Sequence, residues 1–174
     1  MRRISLNARR GFDAANTAEV DIALFQFEHP ALEAPIRLST DPTERLSVEP
    51  LLYGTRSTWL DPSPSAEPFL FALVSAELPG DQEDAPASGA LVLENVDNRI
   101  AEVLRSFTDR ATVHMAVVRS TDPDLVEYQY LGLKLMQAGG DAGEVTLTLS
   151  RAPIEDELAP MDRFTKDRFP GLFR

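Results

Sequence analysis

The 174-residue sequence contains no cysteine. That excludes disulfides, thiol nucleophiles, thiolate-bound zinc and iron–sulfur clusters together, and it leaves the redox compartment open. Histidine is almost as scarce, with only His29 and His114. His114 falls inside the strand-like run Thr112-Val113-His114-Met115-Ala116 and is expected to be a half-buried sheet residue rather than a ligand. His29 precedes Pro30 and is expected to shape a turn. No apolar run approaches the roughly 18 residues of a membrane helix, and Met1-Arg2-Arg3 is not followed by an apolar signal core. The expectation is a soluble chain, not exported by that route and with no membrane partner.

Recognisable chemistry is also missing. There is no glycine-rich phosphate loop, no Gly-x-Ser-x-Gly elbow and no His-Glu-x-x-His pair. Pro79 to Ser88 carries three acids among turn residues, but it lacks the alternating oxygen ligands and closing glutamate of a calcium loop, and it reads as a solvated loop. No catalytic residue, cofactor site or metal site is predicted. With 28 acidic residues, a carboxylate pair brought together in space stays open as an alternative.

What is present is a chain long enough for one domain, in which roughly 70% of the unfolded surface becomes buried. Its charge is unevenly placed. Residues 1–10 hold four arginines and no acid, and 162–174 hold four cations against two acids, so the net −11 leaves −17 in the body between them. An acidic body argues against phosphate-backbone binding as the main task. Basic ends on an acidic body suggest that the ends dock on protein, on this chain or on a copy.

Hydrophobic periodicity predicts a mainly β fold, a sandwich or barrel with one or two short helices and a long hairpin. Ser88 to Ser120 is the most legible stretch. Ala90 to Glu94 reads as a strand, and Asn95 to Phe107 as a helix capped by Asp97 or Asn98, with Val96, Ile100, Val103, Leu104 and Phe107 on one face. Ala111 to Val118 reads as a strand again. A short helix is expected within Ser5–Asn16. Glu19 to Glu28 reads as a strand that changes face, or carries a bulge, near Leu24-Phe25. Pro35 to Ser39 is its returning partner.

Asp41 to Pro68 is the least regular part, with short β pieces at Arg45–Val48 and Leu51–Tyr53 and an apolar plug at Trp59-Leu60. Phe69 to Leu78 is expected to be one strand, buried on both faces at its start. After a turn at Ser120–Asp124, Leu125–Gln137 and Glu144–Ser150 form the long hairpin. Its first arm is apolar on both faces: Tyr128, Tyr130, Gly132, Lys134 and Met136 alternate with Gln129, Leu131, Leu133, Leu135 and Gln137. Tyr128 and Tyr130 are therefore candidate interface residues.

The domain is expected to span 1–174, with 1–17 as an N-terminal arm and 152–174 as a docking tail. In that tail Phe164, Arg168, Phe169, Pro170, Leu172 and Phe173 lack a helical or strand period and cannot build a core alone, so they are predicted to sit in a groove.

Several motifs resemble one family. Phe25-Gln26-Phe27-Glu28-His29-Pro30-Ala31-Leu32 with Pro35-Ile36-Arg37-Leu38, then Leu93 to Ile100, then Asp122-Pro123-Asp124, and finally Arg168 to Phe173 are similar, in order and spacing, to an uncharacterised tail-tip domain of long-tailed phages. That domain is similar in role to lambda-type minor tail protein M and to distal tail proteins. Asp41 to Ser88 carries no matching motif.

The resemblance implies a tail-tube-like β fold and a structural, non-enzymatic protein of the virion tail tip, made in the host cytoplasm. It further implies self-association in a ring, often a hexamer, between the tail tube protein and the tip hub proteins, with DNA passing the lumen without specific binding. Two alternatives stand beside it: a tail-associated cell-wall hydrolase using paired carboxylates, and a tail assembly factor absent from the mature particle.

Overall fold

The computed structural model describes residues 5–63, 67–77, 88–94, 110–140 and 144–150. These form one helix, α1 (Leu6–Asp13), and ten strands: β1 (Asp21–Glu28), β2 (Ile36–Ser39), β3 (Glu44–Val48), β4 (Leu51–Thr55), β5 (Phe69–Phe71), β6 (Leu73–Glu77), β7 (Ser88–Glu94), β8 (Thr112–Arg119), β9 (Asp122–Gly140) and β10 (Glu144–Ser150). All ten strands belong to one sheet, in the order β3-β4-β5-β2-β1-β8-β9-β10-β7-β6. The fold is mainly β, as the periodicity predicts, and the sheet curls into a half-barrel.

The curl follows from one connection. β5 sits between β4 and β2, while β6 pairs with β7 at the far end of the sheet, yet Ala72 alone separates β5 from β6. Successive Cα atoms lie about 3.8 Å apart, so the β6 end of the sheet must curl back to β5, the third strand from the β3 end. Ala72 N–H donates to Ser39 O at 2.9 Å, extending the β2·β5 ladder up to the bend. The single strand expected at Phe69–Leu78 is thus divided in two. Burial on both faces is also corrected: Phe69 is fully buried, but Phe71 and Leu73 are 37% and 50% exposed.

Alternation then sorts side chains between the inside and outside of the curl. The inner cluster draws Phe25 and Phe27 from β1, Leu38 from β2, Leu91 and Leu93 from β7, and Val113 and Met115 from β8. Leu133 and Leu135 of β9 and Val145, Leu147 and Leu149 of β10 complete it, with Ala72 at the bend. A second cluster covers part of the outer face: Ile22, Leu24, Trp59, Phe69, Ala116 and Val118. Trp59 stacks on Phe69 with ring centroids 5.9 Å apart, and its Nε1 donates to Gln129 Oε1 at 3.0 Å. The plug is therefore Trp59 alone. Leu60 is 41% exposed and has a positive φ of 65°.

Covering both faces removes the need for a bulge in β1. Leu24 pairs with Ser39 and Ala116, and Phe25 with Leu38 and Met115, without a shift in either ladder. Neighbouring residues are apolar there because Leu24 meets the outer cluster and Phe25 the inner one. The irregularity lies instead on β9, whose ladder with β8 shifts register three times. Opposite His114, the extra residues Leu131 and Gly132 bulge out, with Gly132 at φ 70°, a conformation that suits glycine. A second shift adds Glu127 between the pairs Val117–Tyr128 and Val118–Val126. The strict alternation expected from Tyr128 to Gln137 is broken at Leu131-Gly132, so Tyr130 packs on the same inner cluster that holds Leu133 and Leu135.

The strands expected within Ser88–Ser120 form as β7 and β8, with β9 and β10 lying between them in the sheet. The helix predicted at Asn95–Phe107 lies outside the described residues. The short β pieces expected at Arg45–Val48 and Leu51–Tyr53 form as β3 and β4, which pair as an antiparallel hairpin.

Candidate interaction surfaces

The N-terminal arm is held by specific groups. Ser5 caps α1, its Oγ accepting from Ala8 N–H at 3.0 Å. The same residue donates to Glu127, from N to Oε2 at 2.7 Å and from Oγ to Oε1 at 2.6 Å. Glu127 is 5% exposed, and the bulge that displaces it from the β8 ladder turns it towards the arm. Buried Arg119 reaches Glu19 Oε2 at 2.5 Å and Asp21 Oδ1 at 2.7 Å. These bonds, to Glu19 first and then Asp21, raise the Arg119 pKa above its ordinary value. Gly11 lets α1 approach this guanidinium: a Cβ there would stand 2.4 Å from Arg119 Nη2.

A polar row crosses the outer face of β2, β1 and β8. Arg37 is 6% exposed, donates from Nε to Gln26 Oε1 at 3.0 Å, and lies over the Phe69 ring at 5.2 Å. Gln26 Nε2 donates to Glu28 Oε1 at 2.7 Å, and Glu28 Oε2 lies 3.6 Å from His114 Nε2. His114 Nδ1 accepts from Gly132 N–H at 3.1 Å, which places the neutral ring's proton on Nε2 and supplies a partner for a bulged amide. His114 is the half-buried sheet residue that was expected. The turn role of His29 also appears: its carbonyl accepts from Leu32 N–H at 2.9 Å and its Nδ1 from Ala31 N–H at 3.1 Å.

The Asp122-Pro123-Asp124 segment opens β9 and pins the strap that carries Trp59. Asp124 Oδ1 accepts from Thr58 N–H at 2.7 Å and Thr58 Oγ1 at 2.9 Å, and Pro123 O accepts from Ser57 Oγ at 2.7 Å. Beside it lies a shallow cleft of about 170 Å³ bordered by Arg56, Thr58, Glu67 and Asp124. Among the described residues, no group of three or more His, Asp or Glu converges as a metal site, and no helix is long and apolar enough to cross a membrane.

Tyr128 and Tyr130 are half-buried, face Val117 and Met115 across the β8 ladder, and meet edge to face at 6.5 Å. They are brought together on the inner side of the sheet. Phe164, Arg168, Phe169, Pro170, Leu172 and Phe173 lie outside the described residues.

Sequence reasoning missed a different surface. Val48, Leu51, Tyr53, Phe71 and Leu73 are 71%, 59%, 38%, 37% and 50% exposed. The alternation of Leu51 and Tyr53 was a legible signal, but it does not tell which face is covered. No protein-family model and no curated protein matches this chain.

Proposed function

We propose that this chain is a structural component of the tail tip of a phage or phage-derived particle, self-associating in a ring between tail tube and tip hub. The observation that carries this reading is the ordered set of motifs resembling a tail-tip domain. Two of them hold determining positions in the fold. The Phe25–Leu38 motif is the β1–β2 hairpin, which supplies Phe25, Phe27 and Leu38 to the inner core. The Asp122-Pro123-Asp124 motif anchors the strap over the outer cluster.

A ring needs a head-to-tail contact. β3, the terminal strand of the described sheet, offers an edge for one. An acidic wall around a DNA channel would also discourage DNA from sticking during ejection.

Two measurements test the reading. Light scattering on purified protein is expected to give a closed multimer, alone or upon addition of tail tubes, and purified virions are expected to contain the chain. Absence from the virion with a strictly monomeric mass in both conditions overturns it. Absence from the virion with tube-dependent assembly instead identifies an assembly factor.

A further inference from the structure

A titratable side chain faces the Leu131–Gly132 bulge. Val113 pairs with Leu133 and Met115 with Tyr130, so His114 of β8 stands opposite the two extra residues of β9. Its Nδ1 accepts from Gly132 N–H at 3.1 Å. On its other side His114 pairs with Gln26 of β1, and its Nε2 lies 3.6 Å from Glu28 Oε2. That separation is longer than an N–H···O hydrogen bond, whose usual range ends at about 3.2 Å. The neutral ring is therefore bonded to β9 and only close to β1.

Protonation reverses these preferences. An imidazolium carries a proton on both nitrogens and accepts nothing. Its Nδ1–H and the Gly132 N–H would oppose each other across the present 3.1 Å contact, so the amide must leave. The same charge draws Nε2–H towards the Glu28 carboxylate. Gln26 Nε2 holds that carboxylate by Oε1 at 2.7 Å, which leaves Oε2 turned to the ring. Two cations complete the surroundings. Lys134 of β9 directs Nζ to Thr112 Oγ1 at 2.8 Å, and Arg37 of β2 meets the row through Gln26 Oε1 at 3.0 Å. The bulge has room to respond. Leu131 is 51% exposed, Gly132 is exposed, and no atom lies within 4 Å of a Cβ placed on Gly132. A released amide there turns to water.

We infer that His114 is a proton-sensitive clasp between two strands: neutral, it holds the Gly132 amide of the β9 bulge, and protonated, it lets that amide go and pairs with Glu28 of β1. Acidification across the range in which histidine gains its charge, between about pH 8 and pH 5, therefore loosens the β8–β9 ladder at its bulge. The regular β1–β8 ladder stays closed. This switching does not depend on self-association.

NMR of the full chain tests the clasp. The protection of the Gly132 amide is its exchange with water relative to an unstructured chain at the same pH. It should fall several-fold from pH 8 to pH 5, in step with the titration of the His114 ring resonances, while amides of the β1–β8 ladder keep theirs. His114→Gln removes the change of charge, so its Gly132 protection should be equal at both pH values. Glu28→Gln removes the anion that receives the imidazolium, and release should then need a lower pH than in the unaltered chain. Circular dichroism at pH 8 checks that each variant keeps the sheet, and the unaltered chain decides the matter even if a variant does not. Gly132 protection that is independent of pH in the unaltered chain, or that falls equally in His114→Gln, would overturn the clasp. An unmoved transition in Glu28→Gln would overturn the transfer to β1.

Discussion

β8 is flanked by two ladders of different character. Towards β1 it makes eight consecutive pairs, Asp21–Arg119 to Glu28–Thr112, without a shift. Towards β9 the register slips three times within the same strand. The regular side lies under both hydrophobic clusters, and a slip of one residue there would exchange Leu24 and Phe25 between the outer and inner faces. At two of the three slips a displaced group finds a polar partner: Glu127 meets Ser5, and the Gly132 amide meets His114 Nδ1. Packing on two faces enforces register, while the bulges aim groups out of the sheet.

Mutations on the two sides sharpen that contrast. The largest effect is expected from Phe25→Ala, which empties a fully buried site between β1 and β8 and should cost about 3–5 kcal/mol in urea unfolding. Arg119→Ala, at the end of the regular ladder, should cost about 1–2 kcal/mol in the same measurement. That is less than a fully buried pair would lose, because Glu19 and Asp21 are partly open to water and rehydrate.

Gly132→Ala should cost about 1–2 kcal/mol through φ alone, since no atom lies within 4 Å of the added methyl. Gly139→Ala, also in open space but without a positive φ, is the control and should be near neutral. If the two glycine variants unfold alike, the bulge at 131–132 is not the strained point described here. Ser5→Ala removes both the cap of α1 and the Oγ donor to buried Glu127, and should cost about 1–3 kcal/mol. It should appear as faster hydrogen exchange in α1 with little change in the barrel. A global loss instead would mean that the arm is part of the core's cooperativity.

The strand pieces were legible where side-chain period and solvent exposure agree. β10, with Val145, Leu147 and Leu149 inward, is the clearest instance. The reading faltered at β1 and β9 for opposite reasons. In β1, two covered faces produced an apolar run that resembles a bulge, whereas in β9 real bulges hid within an apparently continuous alternation. The Phe69–Leu78 run read as one strand because its composition is continuous, and nothing local announces that β5 joins β4 and β2 while β6 joins β7 at the far end of the sheet. The exposed stripe from Val48 to Leu73 was hidden for the same reason, as its residues come together only through the pairings of β3 with β4 and of β4 with β5.

Composition and period by themselves determined that this chain uses no thiol chemistry, that it is mainly β, and that His114 sits in a sheet. These are one-residue or one-strand properties, set by side-chain chemistry and the two-residue repeat. The tertiary structure decided which strands are neighbours, where the register slips, and which apolar residues stay uncovered. Those depend on the free energy of burying two faces at once, and that is defined only when distant segments meet.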